Sequence, residues 1–67
     1  MFDFIFSPLQ KGIQLMRQER YAEAIEFFTA LAIKKTREPE AYFNLGRCYF
    51  KIGRYQEAKE NLLKVLD

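Results

Sequence analysis

Apolar positions recur along this chain with the period of an α-helix, and the same spacing is written more than once. Tyr21, Ala24, Phe28 and Leu31 stand three, four and three residues apart, and Tyr55, Ala58, Leu62 and Val65 repeat those intervals. Side chains so spaced share one helical face. Tyr42, Leu45, Gly46 and Tyr49 follow i, i+3, i+4, i+7, a further apolar face in which Gly46 lets a neighbouring helix approach closely. Helix ends are legible too. Ser7-Pro8 reads as an N-cap followed by proline at the first helical position, and Pro39, between Glu38 and Glu40, opens another helix. Gly53 stops that helix, because glycine takes the left-handed C′ conformation without a Cβ penalty. The pattern predicts an all-α fold of four helices over about 8–18, 22–35, 39–52 and 56–66, paired as two antiparallel hairpins with a break at Thr36-Arg37-Glu38. One valine and no two-residue glycine turn between alternating runs leave no case for strands. Tyr42, Leu45, Tyr49, Tyr55, Ala58 and Leu62 are the expected core, with Gly12, Gly46 and Ala58 as small contacts between helices.

The hairpins are copies of one unit. A shift of 34 positions aligns Gly12 with Gly46, Arg20 with Arg54, Tyr21 with Tyr55, Glu23 with Glu57, Ala24 with Ala58 and Glu26 with Glu60. Similar pairs fill the intervals, among them Met16 with Phe50 and Phe28 with Leu62. A repeat of this length is one supersecondary unit that buries its apolar face by stacking on its neighbours.

The second unit carries the more specific motif. Tyr42-Phe43-Asn44-Leu45-Gly46-Arg47-Cys48-Tyr49, followed by Gly53-Arg54-Tyr55-Gln56-Glu57-Ala58, resembles the aromatic-x-x-Leu-Gly-x-x-Tyr and Gly-x-Tyr-x-Glu-Ala stretches of the tetratricopeptide repeat family. The first unit keeps Gly12, Tyr21, Ala24 and Phe28. It has Pro8 where the family has an aromatic, Lys11 for the leucine, Glu19 for the turn glycine and Thr36 for the closing proline. The resemblance implies a single domain over residues 1–67, a short right-handed solenoid with repeat one over about 5–38 and repeat two over about 39–67, cut off before a capping helix.

Composition narrows the chemistry. The 67 residues are 49% hydrophobic and 30% charged, which is globular rather than disordered. One cysteine and no histidine exclude a disulfide framework, His-ligated metal and His-based acid–base catalysis. Cys48 reads as a structural thiol, and the pairs Glu23 with Glu26 and Glu57 with Glu60 as solvated ion pairs beside Lys or Arg. No catalytic set, metal or cofactor is expected. Arg47, Lys51 and Arg54 share one side of a helix, and Lys34-Lys35-Thr36-Arg37 is a short basic run, but a net charge of +2 argues against nucleic acid. The apolar opening Met1 to Phe6 is interrupted by Asp3 and lacks a basic leader. Nothing approaches the ~18 continuous apolar residues of a membrane helix. The expected location is cytoplasmic, with no membrane partner.

By the resemblance, the outer face of each hairpin's first helix lines a concave surface that grips a peptide or helix of a protein partner. The matching positions are Leu9, Ile13, Met16 and Arg17 in the first unit, and Phe43, Asn44, Arg47, Phe50 and Lys51 in the second. Family members that clamp a C-terminal carboxylate place Lys and Asn where Leu9 and Ile13 stand, so the expected ligand is apolar or amphipathic. Self-burial competes with that reading. Phe2, Phe4 and Phe6 at one end and Leu62, Leu63 and Leu66 at the other are uncovered apolar clusters, expected to join two copies as a homodimer by end docking or by exchange of hairpin halves through the Gln18-Glu19-Arg20 turn.

Overall fold

The computed structural model describes residues 8–34 and 39–66. Four helices follow one another, α1 (Pro8–Arg17), α2 (Tyr21–Lys34), α3 (Pro39–Lys51) and α4 (Tyr55–Val65), and no strand occurs among the described residues. The bounds agree with the apolar periodicity to within one residue at each end. The Ser7 cap, the break at Thr36–Glu38, and Phe2, Phe4 and Phe6 lie outside the described residues. Helix α3 is central: it packs on α4 and on α2, while α1 packs on α2 and touches α3.

Both hairpins turn in the same way. At the end of α1 the Glu19 amide donates to the Met16 carbonyl at 2.8 Å and the Arg20 amide to Leu15 at 2.9 Å. At the end of α3 the Gly53 amide donates to Phe50 at 3.1 Å and the Arg54 amide to Tyr49 at 2.8 Å. This pair of bonds closes a helix through one left-handed residue. Gly53 supplies it at φ +84°, and Glu19, despite its side chain, at φ +60°. The absence of a turn glycine therefore leaves the first hairpin's geometry intact, at a conformational penalty of roughly 1–2 kcal/mol for a non-glycine residue in that region. Each turn leads into an arginine–glutamate pair three residues apart. Arg20 meets Glu23 at 2.5 Å, and Arg54 meets Glu57. The hydrogen bond from Arg54 holds the Glu57 carboxyl below its ordinary value, and the bond to Glu23 raises Arg20. Both pairs are solvated, so they contribute little to stability.

The core is one cluster of Met16, Ala24, Phe28, Ala32, Ala41, Leu45 and Cys48, walled by half-buried residues that include Leu9, Ile13, Tyr21, Ile25, Tyr42 and Tyr49. Inside each hairpin a large side chain of the second helix lies against a glycine of the first. A Cβ on Gly12 would stand 2.4 Å from the Phe28 ring, and one on Gly46 would stand 2.5 Å from Leu62 Cγ. Two expected core residues are not covered. Tyr55 is 62% and Leu62 39% exposed, whereas Phe28, the counterpart of Leu62, is completely buried. The reason is position: α3 lies over α2 and shares its core cluster, and no described helix lies over α4 in the same way.

Two stability outcomes follow from these contacts. Gly12→Ala is expected to destabilise the fold, because overpacking against a rigid buried ring costs about 1–3 kcal/mol, more than the ~1 kcal/mol gained in helix propensity. Gly46→Ala should lose less, since Leu62 can rotate toward solvent. Urea unfolding of both variants checks this, and equal losses would contradict it. In the same assay Glu19→Gly should gain about 1 kcal/mol, the left-handed penalty less the greater chain entropy glycine loses on folding, while Gly53→Ala should lose a comparable amount.

Candidate functional site

The expected contact positions divide between core and surface. Leu9 and Ile13 are half-buried against the core, and Arg17 is exposed. Met16 was expected on the concave stripe but is only 7% exposed and belongs to the core cluster. Asn44 is likewise buried at 4%. Its Nδ2 donates to the Glu40 carbonyl at 2.8 Å and its Oδ1 accepts from Arg47 at 3.3 Å. A polar side chain satisfied within its own helix can be buried without penalty, which is why its polarity did not bring it to the surface. Phe43 at 46% and Phe50 at 60%, with Arg47 and Lys51, remain exposed on α3.

Phe43 and Phe50 open toward α4. With Tyr55, Leu62, Leu63 and Leu66 they line an apolar groove of about 640 Å³, and Lys59 belongs to the same lining. Ile13 and Arg17 line a separate hollow of about 280 Å³ with Gln10 and Gln14. Two of the expected partner contacts, Phe43 and Phe50, thus share one groove with the expected oligomer contacts Leu62, Leu63 and Leu66, while Asn44, Arg47 and Lys51 are not in its lining. Tyr55 packs on Phe50 with ring centres 5.3 Å apart and the planes tilted by 56°, and the Arg47 guanidinium lies 5.8 Å from the centre of the Phe43 ring, so the aromatic floor is held by neighbours. Tyr55, Lys59 and Val65 were missed as groove residues. The signal for them was the 34-residue shift, which matches Tyr55 to Tyr21, Lys59 to Ile25 and Val65 to Leu31, as it matches Phe50 to Met16, Leu62 to Phe28 and Leu66 to Ala32. Met16, Phe28 and Ala32 are buried and Tyr21 is half-buried, all in or against the core that α3 shares.

The remaining chemistry is quiet. Cys48 is fully buried, and burial pushes its thiol up to about 11, with Arg47 pulling the other way. A thiol so placed is neutral at physiological pH and a poor nucleophile. Arg54, one of the three basic residues considered for nucleic acid, pairs with Glu57 and lies 5.6 Å from the centre of the Tyr49 ring. Among the described residues no group of three His, Cys, Asp or Glu side chains is placed to hold a metal ion. No described helix is long and apolar enough to cross a membrane.

Stacked helix hairpins of 34-residue period with an open apolar groove define a helical-repeat protein. The tetratricopeptide repeat model matches residues 15–67, and the chain belongs to that family, whose repeats mediate protein–protein interaction. The transcription factor tau 131 kDa subunit of Saccharomyces cerevisiae is 45% identical over 66 residues, which cover 90% of this chain and 6% of the yeast protein. Hsp70-Hsp90 organizing protein 1 of Glycine max is 29% identical over 58 residues, 87% of this chain and 10% of that protein. Hsp70-Hsp90 organizing protein 2 of Arabidopsis thaliana is 26% identical over the same length, with the same coverage of each chain. The chain therefore spans a tenth or less of the length of these relatives.

The buried thiol provides a direct probe of this packing. Cys48 should resist a water-soluble thiol reagent in the native chain and react as the chain unfolds in urea. Because its folded pKa is raised, the native state keeps a proton that the unfolded state releases. Stability should be full below the ordinary thiol range and fall as pH rises from there toward about 11. Cys48→Ala should remove that component of the alkaline slope, measured by unfolding at a series of pH values.

Proposed function

We propose that this chain is a non-enzymatic scaffold that grips an apolar or amphipathic segment of a protein partner, with the groove between α3 and α4 as its principal hold. The observation that carries this reading is the groove itself: Phe43, Phe50, Tyr55, Leu63 and Leu66 stand open, at 46% to 81% exposure, around one contiguous apolar hollow. Contiguous exposed apolar surface rimmed by polar side chains marks interaction sites. Membership in a family of interaction repeats supports it, as do relatives named as an organizing protein for Hsp70 and Hsp90 and as a transcription factor subunit. The single free cysteine suits the reducing cytoplasm, where we place the chain.

A second reading is self-assembly as a homodimer, favoured by the exposure of Leu62, Leu63 and Leu66 along and just past the last helix. Three such side chains left wet forgo about 5 kcal/mol, at about 1.5–3 kcal/mol each. Sedimentation equilibrium from low to high micromolar concentration separates the two: dimerisation lost in Leu63→Glu supports the second, and a folded monomer throughout removes it.

For the partner reading, Phe43→Ser and Phe50→Ser should abolish binding of amphipathic peptides while helicity and melting temperature change little. Truncating a buried aromatic costs ~3–5 kcal/mol, and these two are about half exposed. A large fall in melting temperature would assign them to the core and overturn the reading.

A further inference from the structure

We infer that helix α1 is exchanged between two copies of this chain: the turn at residues 18–20 straightens, α1 and α2 become one helix, and the core of each copy is completed by the α1 of the other. The exchange does not involve the α3–α4 groove, so it stands or falls separately from the partner reading.

The two turns of the chain differ in what they would lose by straightening. Each places one residue in the left-handed region, Glu19 at φ +60° and Gly53 at φ +84°. Glycine takes that conformation freely and is penalised inside a helix, whereas for glutamate both preferences are reversed. Residues 15–24 contain neither glycine nor proline and are rich in good helix formers, among them Leu15, Met16, Arg17, Gln18, Glu19 and Ala22. Straightening also offers the amides that open α2 the carbonyls of Arg17, Gln18 and Glu19, where the start of a helix leaves such amides without intrahelical partners. A short hinge under strain invites exchange. The element exchanged is α1, because α2, α3 and α4 remain packed in succession without it.

Sequence symmetry about Arg20 supplies the register. In the closed hairpin Phe28 lies against Gly12, and these two residues are equally far from Arg20. Two straight helices crossing antiparallel at residue 20 therefore bring Gly12 of each copy to Phe28 of the other, which is the contact the hairpin already makes. On one continuous helix Leu9, Ile13 and Met16 before Arg20, and Ala24, Phe27 and Leu31 after it, fall within about 40° of a single line. Counted outward from Arg20, the intervals are four, three and four in both directions. The stripe is thus its own antiparallel complement, with Leu9 opposite Leu31, Ile13 opposite Phe27 and Met16 opposite Ala24 of the other copy. Such self-complementarity is what a two-fold interface requires.

Arg20 is the polar member of the stripe, and the two-fold axis sets it against Arg20 of the other copy, a like-charge contact that opposes the exchange. Each arginine carries its own counter-charge, donating to the two Glu23 carboxylate oxygens at 2.5 and 2.8 Å. The same symmetry brings Glu23 toward Arg17 of the other copy. Relief at Glu19 drives the exchange and repulsion at Arg20 restrains it, so substitution at either residue shifts the balance.

The test refolds the 67-residue chain from urea at low and at high micromolar concentration and reads dimer content by sedimentation velocity. Refolding at high concentration should give a dimer that survives Leu63→Glu and persists on dilution, separating only as the chains unfold. Glu19→Gly, which suits the closed turn and weakens the straight helix, should lower dimer formation by roughly tenfold or more, since each dimer opens two turns. Glu19→Ala should not lower it, and Arg20→Gln should raise it, with helicity retained in every variant. A dimer lost in Leu63→Glu overturns the inference and leaves docking through α4 standing. Dimer content in Glu19→Gly equal to or above that of the parent chain overturns it, as does a folded monomer throughout, Arg20→Gln included.

Discussion

Close approach of paired helices at a glycine is the contact on which the rest of this structure depends. Phe28 lies over Gly12 and Leu62 over Gly46, at separations that leave no room for a methyl group. With the first helix reduced to backbone at that point, the second can bring a full-sized side chain onto it. The rest of the second helix's face, Ala24 in one hairpin and Ala58 in the other, then lies close enough for small residues to fill the remaining space. Each hairpin thus presents large apolar side chains on the side turned to the next helix. A chain of 67 residues has little interior to work with, and a domain of about this size buries only roughly 60% of its unfolded surface. The glycine contacts concentrate what burial there is.

The two hairpins are chemically alike yet end in different environments, because burial belongs to the neighbour as much as to the residue. α3 has a helix on either side of it and contributes Ala41, Leu45 and Cys48 to the core. Among the described helices, only α3 packs on α4, and the apolar set of α4 that matches the one buried on α2 is more exposed. The same logic accounts for the turns. Glu19 and Gly53 hold the same left-handed conformation with the same hydrogen bonds, so tertiary pairing of the helices imposes the turn and local preference only modulates its stability.

The helices were legible because apolar spacing and capping signals act locally: proline at 8 and 39 and glycine at 53 mark ends that the structure keeps to within one residue. The core was legible only in part. Periodicity identifies which face of a helix is apolar, and Tyr55 and Leu62 do lie on such a face, but it carries no information about whether another helix covers it. Met16 erred in the opposite direction: its stripe was read as surface, yet the second helix layer closes over it. Asn44 was placed on the outer face by its position in the resemblance, but it is buried, with an intrahelical bond to the Glu40 carbonyl satisfying its amide. The groove was within reach of the sequence, since the 34-residue shift names its lining. Separating the concave stripe from the terminal apolar cluster hid that Phe43 and Phe50 share a hollow with Leu62, Leu63 and Leu66.

The two ends of the described fold are unlike, and the difference has a direction. On α1 the outward positions are Gln10, Lys11 and Gln14, which solvate that side of the molecule. On α4 the exposed apolar positions are Tyr55, Leu62 and Leu63, and the basic side chains of Lys59 on α4 and Arg47 on α3 stand near them. Long basic side chains suit such a surface, because their aliphatic stems lie along apolar surface while their charges stay hydrated. Such a rim keeps an open seat compatible with water without filling its floor.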